Sequence, residues 1–140
     1  MIAAGGGGIP LCGEEGVEAV VDKDLAAAEL AIAVGADRIL SLTAVDGAKL
    51  RFGLPSEEDL DLLTVSEAER YLAEGHFAPG TMGPKIEGAI RFLRATGRGE
   101  VLITTPERVL AGYRGEAGTR IVPGRGESRR PVQAGTEAAR

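Results

Sequence analysis

The chain has 140 residues, 44% of them hydrophobic and 26% charged, with 21 glycines and a net charge of −5. That length suits one domain able to bury a core without disulfides or a structural metal, and the balance excludes a disordered chain. The acidic charge and an aromatic fraction of 4% argue against a nucleic-acid partner, while the lack of a long apolar run argues against a membrane partner and for a cytoplasmic protein.

Met1 to Ala4 is an apolar run ending at Gly5, Gly6, Gly7 and Gly8, which reads as a buried strand opening into a glycine loop closed by Pro10. A core strand starting at residue 1 suggests a truncated start, because the first residues of a domain are usually polar and frayed. From Asp24, with Leu25, Ala28, Ala31 and Ile32 at helical spacing, the pattern predicts a helix capped by Asp24 and stopped at Gly35. Arg38 to Thr43 then reads as a buried strand, followed by an Asp46-Gly47 turn.

Thr64-Val65-Ser66-Glu67 is a capping box that opens a short helix stopping at Gly75. His76 to Gly83 reads as loop, and Pro84 is placed as a first helical residue, with Ile86, Ala89, Ile90 and Leu93 following up to Gly97. Glu100 to Thr104 is a further strand, Thr105-Pro106 opens another helix, and Thr119 to Val122 is a last strand. This alternation predicts an α/β fold, a mostly parallel sheet with helices on both faces. Residues 123–140 hold little to bury and read as a disordered tail.

Cys12 is the only cysteine and His76 the only histidine, so a disulfide framework, a zinc cluster or a Cys/His pair lacks its residues and no protein metal site is expected. Chemistry falls to lysine, aspartate and backbone amides. Asp22-Lys23-Asp24 puts an ammonium beside a helix N-terminus, where amides and dipole favour anions; it serves equally as a plain cap beside a solvated lysine. Thr81-Met82-Gly83-Pro84-Lys85 puts a second lysine in a first helical turn. Two such lysines suit phosphoryl transfer, which needs fixed positive charge around the transferred oxygens, although each alone reads as a surface residue. Gly5 to Gly8 can bring amides to a phosphate or form a simple turn. Thr43-Ala44-Val45-Asp46-Gly47 lies at a strand's C-terminal end, the usual place for ligand loops, or is a plain Asp-Gly turn.

Taken together, these segments resemble the C-terminal half of a carbamate kinase, in the amino-acid kinase superfamily. The resemblance runs through Ala3 to Pro10, Gly16 to Ala26, Thr43 to Gly47, Glu74 to Lys85 and Gly118-Thr119, covering about residues 2–122. It implies an amino-acid-kinase-like, nucleotide-binding half over residues 1–122. The implied reaction is reversible phosphoryl transfer between carbamoyl phosphate and ADP, giving ATP and carbamate, with ATP/ADP and Mg2+ as cofactors. Lys23 and Lys85 would contact the transferred phosphate, with Asp24 holding both ammonium groups. Thr43, Val45, Asp46 and Gly47, with Met82, Gly83 and Pro84, would flank the nucleotide, and Gly5, Gly6, Gly7 and Gly8 would lie near the reacting groups. The chain departs from the family at Ala44, Lys49 and Arg51, where members often have Asp, Tyr and Asn.

The resemblance leaves the family's N-terminal half without a counterpart, including another glycine loop and another phosphate-binding lysine. The isolated chain is therefore expected to be inactive, with a homodimer or a complementing N-terminal half as possible protein partners. An acetylglutamate- or uridylate-type kinase, a non-catalytic nucleotide-binding module and a split-enzyme subunit are the competing readings. A Rossmann dehydrogenase is disfavoured by Pro10, which follows the glycines where a helix should begin.

Overall fold

The computed structural model describes residues 10–124; the strand expected at Met1 to Ala4, the loop Gly5 to Gly8 and nearly all of the expected tail lie outside them. β1 (Leu11–Cys12) and β2 (Glu15–Gly16) form a small exposed antiparallel hairpin. α1 (Lys23–Ala33) follows, and its cap is Asp22 rather than the expected Asp24. Asp22 is extended, and its Oδ1 accepts from the amides of Asp24 at 2.8 Å and Leu25 at 3.1 Å. Two of the helix's free amino-terminal amides are thereby satisfied from outside the helix, which leaves the Asp24 carboxylate available elsewhere.

β3 (Arg38–Leu42) leads into the loop 43–48, β4 (Lys49–Leu50) pairs antiparallel with β5 (Glu58–Asp59), and β6 (Leu62–Thr64) runs into α2 (Val65–Ala73). The capping box is present, with Thr64 accepting from the Glu67 amide and Glu67 accepting from the Thr64 amide at 2.8 Å. α3 (Met82–Thr96) begins two residues before the expected Pro84 and ends at Gly97. Pro84 is the third helical residue, still inside the first turn, where a missing N–H breaks no intrahelical bond. β7 (Glu100–Thr104), a 3-10 turn (Pro106–Arg108), α4 (Val109–Arg114) and β8 (Thr119–Val122) complete the chain.

The main sheet has the order β3-β7-β8-β6. β3 with β7 and β6 with β8 are parallel, while β7 with β8 is antiparallel, so the sheet is mixed and mostly parallel. One face carries Val101, Ile103, Leu63 and Ile121 against Ile86, Ala89, Phe92 and Leu93 of α3, with Ala28 and Ala31 of α1 and Ala68 of α2 closing the layer. Each large side chain buried there contributes about 1.5–3 kcal/mol, so α3 is the principal wall of the core. The other face is covered by α4, which approaches so closely that a Cβ on Gly112 would lie 2.9 Å from Leu102 Cδ2. Helices thus lie on both faces.

On the α4 face the sheet carries an ionic row, Arg38 to Glu100 at 2.5 Å and Arg120 to Glu100 at 2.5 Å, with the Arg38 guanidinium 4.1 Å from the Tyr113 ring. β3 was expected to be buried, but Leu40 and Leu42 are exposed. Among the described residues β3 is an edge strand with β7 as its neighbour, and α4 packs on β7 rather than over it. No helix of the described residues is long and apolar enough to cross a membrane.

Candidate functional site

α1 and α3 cross where Gly88 faces the start of α1, and a Cβ on Gly88 would lie 2.9 Å from the Asp24 carbonyl oxygen. Lys85 is one turn earlier on α3 and therefore reaches the first turn of α1. Its Nζ donates to Asp24 Oδ1 at 2.9 Å and Oδ2 at 3.2 Å, and Lys23 Nζ stands 3.5 Å from Asp24 Oδ2. The Lys85 side chain is 9% exposed and that of Asp24 14%, whereas Lys23 is 62% exposed. The two ammonium groups and the Asp24 carboxylate sum to +1, balanced by the Asp22 carboxylate that caps the same helix end, so the charge available to an anion is that of the exposed Lys23 and of Lys85 facing the cavity.

Lys23, Asp24 and Lys85 line a cavity of about 240 Å³ with Ile39, Ser41 and Leu42 of β3 and Gly88 and Ala89 of α3. Ser41 was not singled out from the sequence. Its polar side chain within an apolar strand was the available signal, and its hydroxyl is buried without a hydrogen-bond partner among the described residues. Leu42 also borders a second, open cleft of about 590 Å³, walled by Thr43 and Ala44 on one side and by Thr105, Pro106 and Glu107 on the other. The two spaces therefore adjoin at the C-terminal end of parallel strands, where ligands gather in open α/β sheets.

The loop 43–48 has fixed ends. The Thr43 amide donates to the Thr104 carbonyl at 2.9 Å, and the Ala48 amide donates to Thr119 Oγ1 at 2.7 Å. Thr119 Oγ1 in turn donates to the Leu60 carbonyl at 2.5 Å. Gly47 is buried against this threonine, with φ 142° and a notional Cβ 2.7 Å from Thr119 Oγ1. Val45 and Asp46 are half-buried, and Asp46 Oδ2 meets Arg108 Nη1. Met82, Gly83 and Pro84 form the start of α3, with the Gly83 amide donating to the Ala78 carbonyl at 2.9 Å. The structure thus gathers Lys23, Asp24 and Lys85 into one cluster and puts Thr43 beside the neighbouring cleft; Gly5 to Gly8 lie outside the described residues.

Two departures from the family pattern have local partners. Lys49 bonds Glu57 at 2.6 Å and stands 3.1 Å from Asp59, while Arg51 bonds Glu58 at 2.9 Å, so both cations close the β4–β5 hairpin. The Glu57 and Asp59 carboxylates hold the Lys49 ammonium above its ordinary value, and the Gly53 amide followed by Lys49 holds Glu57 below its own. Among the described residues no group of three or more His, Cys, Asp or Glu side chains could hold a metal.

Residues 1–105 match the model of the amino acid kinase family, and the chain belongs to that family. Carbamate kinases are among its relatives. The chain is 46% identical over 126 residues to the carbamate kinase of Thermococcus kodakarensis, covering 87% of this chain and 40% of that protein. It is 48% identical over 110 residues to carbamate kinase 1 of Enterococcus faecium, covering 77% of this chain and 36% of that protein. The solved carbamate kinase from Giardia lamblia bound to AMP-PNP superposes with a TM-score of 0.73 at 39% identity, covering 79% of this chain and 34% of that one. A uridylate kinase from Archaeoglobus fulgidus, at 23% identity and a TM-score of 0.54, shares the fold. The chain spans about 40% of the length of its Thermococcus relative.

Proposed function

We propose that this chain supplies the nucleotide side of a carbamate kinase reaction, the reversible transfer of a phosphoryl group between carbamoyl phosphate and ADP. The observation that carries the reading is the Lys23–Asp24–Lys85 cluster at the crossing of α1 and α3, facing a cavity that adjoins an open cleft. In the transfer the phosphorus–oxygen bond to the carbamoyl group breaks and a bond to the β-phosphate oxygen of ADP forms, with no proton needed for balance. The equatorial oxygens of the moving group carry the charge. Lys85, fixed by two bonds to Asp24, gives a preorganised positive charge, and the more exposed Lys23 gives a mobile one.

Among the described residues the carboxylates beside the cavity and cleft are too few for a protein-bound metal cage, which fits Mg2+ arriving on the nucleotide's own phosphates. The adjoining cleft between Thr43-Ala44 and Thr105 to Glu107 is the place for the nucleoside. We propose further that residues 1–140 bind nucleotide without turning over, because the resemblance assigns another phosphate-binding lysine to the family's other half.

Calorimetric titration of the full chain with MgADP tests the reading, together with Lys23→Ala and Lys85→Ala and a coupled assay for ATP formed from carbamoyl phosphate and ADP. Saturable binding weakened in both variants, without turnover, is the expected outcome. A folded chain that binds no MgADP, or binds it equally well in both variants, would sink the site assignment. Steady ATP production by the chain alone would overturn its proposed inactivity.

A further inference from the structure

We propose that Arg108 is a positioning residue that sets how well the nucleoside is held, acting through Asp46 on the loop 43–48. This rests on the nucleotide reading above and goes beyond it, since Arg108 belongs to none of the phosphate-binding segments. The two residues lie just beyond the open cleft, on the segments whose earlier residues form its opposite walls. Asp46 belongs to the loop that leaves β3, and Arg108 ends the 3-10 turn that follows β7. The cleft between those walls, about 590 Å³, is lined by Thr43 and Ala44 against Thr105, Pro106 and Glu107.

The loop is fixed at both ends, by the Thr43 amide on the Thr104 carbonyl at 2.9 Å and by the Ala48 amide on Thr119 Oγ1 at 2.7 Å. Its middle is tied by the Asp46 to Arg108 ion pair. Asp46 Oδ1 is buried without a hydrogen-bond partner among the described residues, while Oδ2 meets the guanidinium. A carboxylate desolvated on one side is tolerated only while a cation compensates it. Without Arg108 nothing ties the middle of the loop to the segment after β7, so the loop can shift outward between its fixed ends, which widens the cleft at Ala44.

The rest of each side chain is open, at 48% exposure for Arg108 and 40% for Asp46, so the pair adds little to global stability. Binding and folding effects are therefore separable.

The experiment is calorimetry on the full chain with two probes, MgADP and magnesium pyrophosphate, the second lacking a nucleoside. Arg108→Ala should weaken MgADP by about fivefold or more and leave pyrophosphate within about twofold. Arg108→Lys should recover part of the loss. In the Asp46→Asn background, Arg108→Ala should cause no further loss, because the interaction it removes is already gone. Unchanged MgADP affinity in Arg108→Ala overturns the proposal, as does additive loss in the double variant. An equal loss for both probes also overturns it, making Arg108 a direct anion contact. If the unaltered chain binds neither probe, the nucleotide reading itself fails; if it binds MgADP and Arg108→Ala binds it equally tightly, the failure belongs to Arg108 alone.

Discussion

Replacing Lys85 by methionine keeps most of the side-chain volume and removes the ammonium that Asp24 grips at 2.9 and 3.2 Å. Asp24 is 14% exposed, so its carboxylate would be left largely desolvated, with Lys23 at 3.5 Å as a solvated substitute. Breaking one side of a buried ion pair costs about 3–5 kcal/mol. The position of Asp24 in the first turn of α1 offsets about 0.3–1 kcal/mol of that through the helix dipole. The expected loss is about 2–4 kcal/mol, read by urea denaturation. Asp24→Asn should also destabilise, and the double variant Asp24→Asn/Lys85→Met should be more stable than the sum of the two losses implies, because neither charge is then stranded. A Lys85→Met variant within about 0.5 kcal/mol of the parent, or a cycle with no coupling, would refute the buried-pair reasoning.

Gly118→Ala should destabilise the fold by at least about 2 kcal/mol, because φ is +74° and a Cβ would lie 2.5 Å from the Ile103 carbonyl oxygen; a midpoint equal to the parent's in a urea melt would contradict this. Thr119→Val keeps the shape but strands the Ala48 amide and the Leu60 carbonyl, for a loss of about 2–4 kcal/mol that Thr119→Ser should largely recover in the same assay. Stability should also fall in acid. Glu67, held down by the Thr64 amide and hydroxyl, and Glu69, held down by Arg94, both have folded values below the ordinary 4.5. The stabilisation they add is complete above that value and is lost as pH drops through their folded values. Glu67→Gln should flatten the slope of midpoint against pH in that acid range; an unchanged slope would remove the capping box from the acid response.

The local elements were legible because their signals are local. The Thr64–Glu67 box, the apolar spacing Ile86, Ala89, Leu93, and the stops at Gly35, Gly75 and Gly97, all with positive φ, act within one or two turns. The cap of α1 was misplaced by two residues, since Asp22 and Asp24 are equally good caps and the choice follows from Lys85, which claims Asp24 from a distant helix. β6 was missed because Leu62–Thr64 is three residues long and becomes a strand by pairing with β8.

The chain's alternation of caps, apolar runs and glycines determined the α/β class and both lysine-bearing helix starts, because each depends on neighbours in sequence. The tertiary structure alone decided the order β3-β7-β8-β6 with its one antiparallel pairing, and the exposure of Leu40 and Leu42 on β3. It also decided the meeting of Lys85 with Asp24 across 61 positions and of Arg108 with Asp46. Such contacts carry no periodic signature: they exist because Gly88 lets α3 lie against α1 and because β3 and β7 run parallel, bringing the loops after both strands to one end of the sheet.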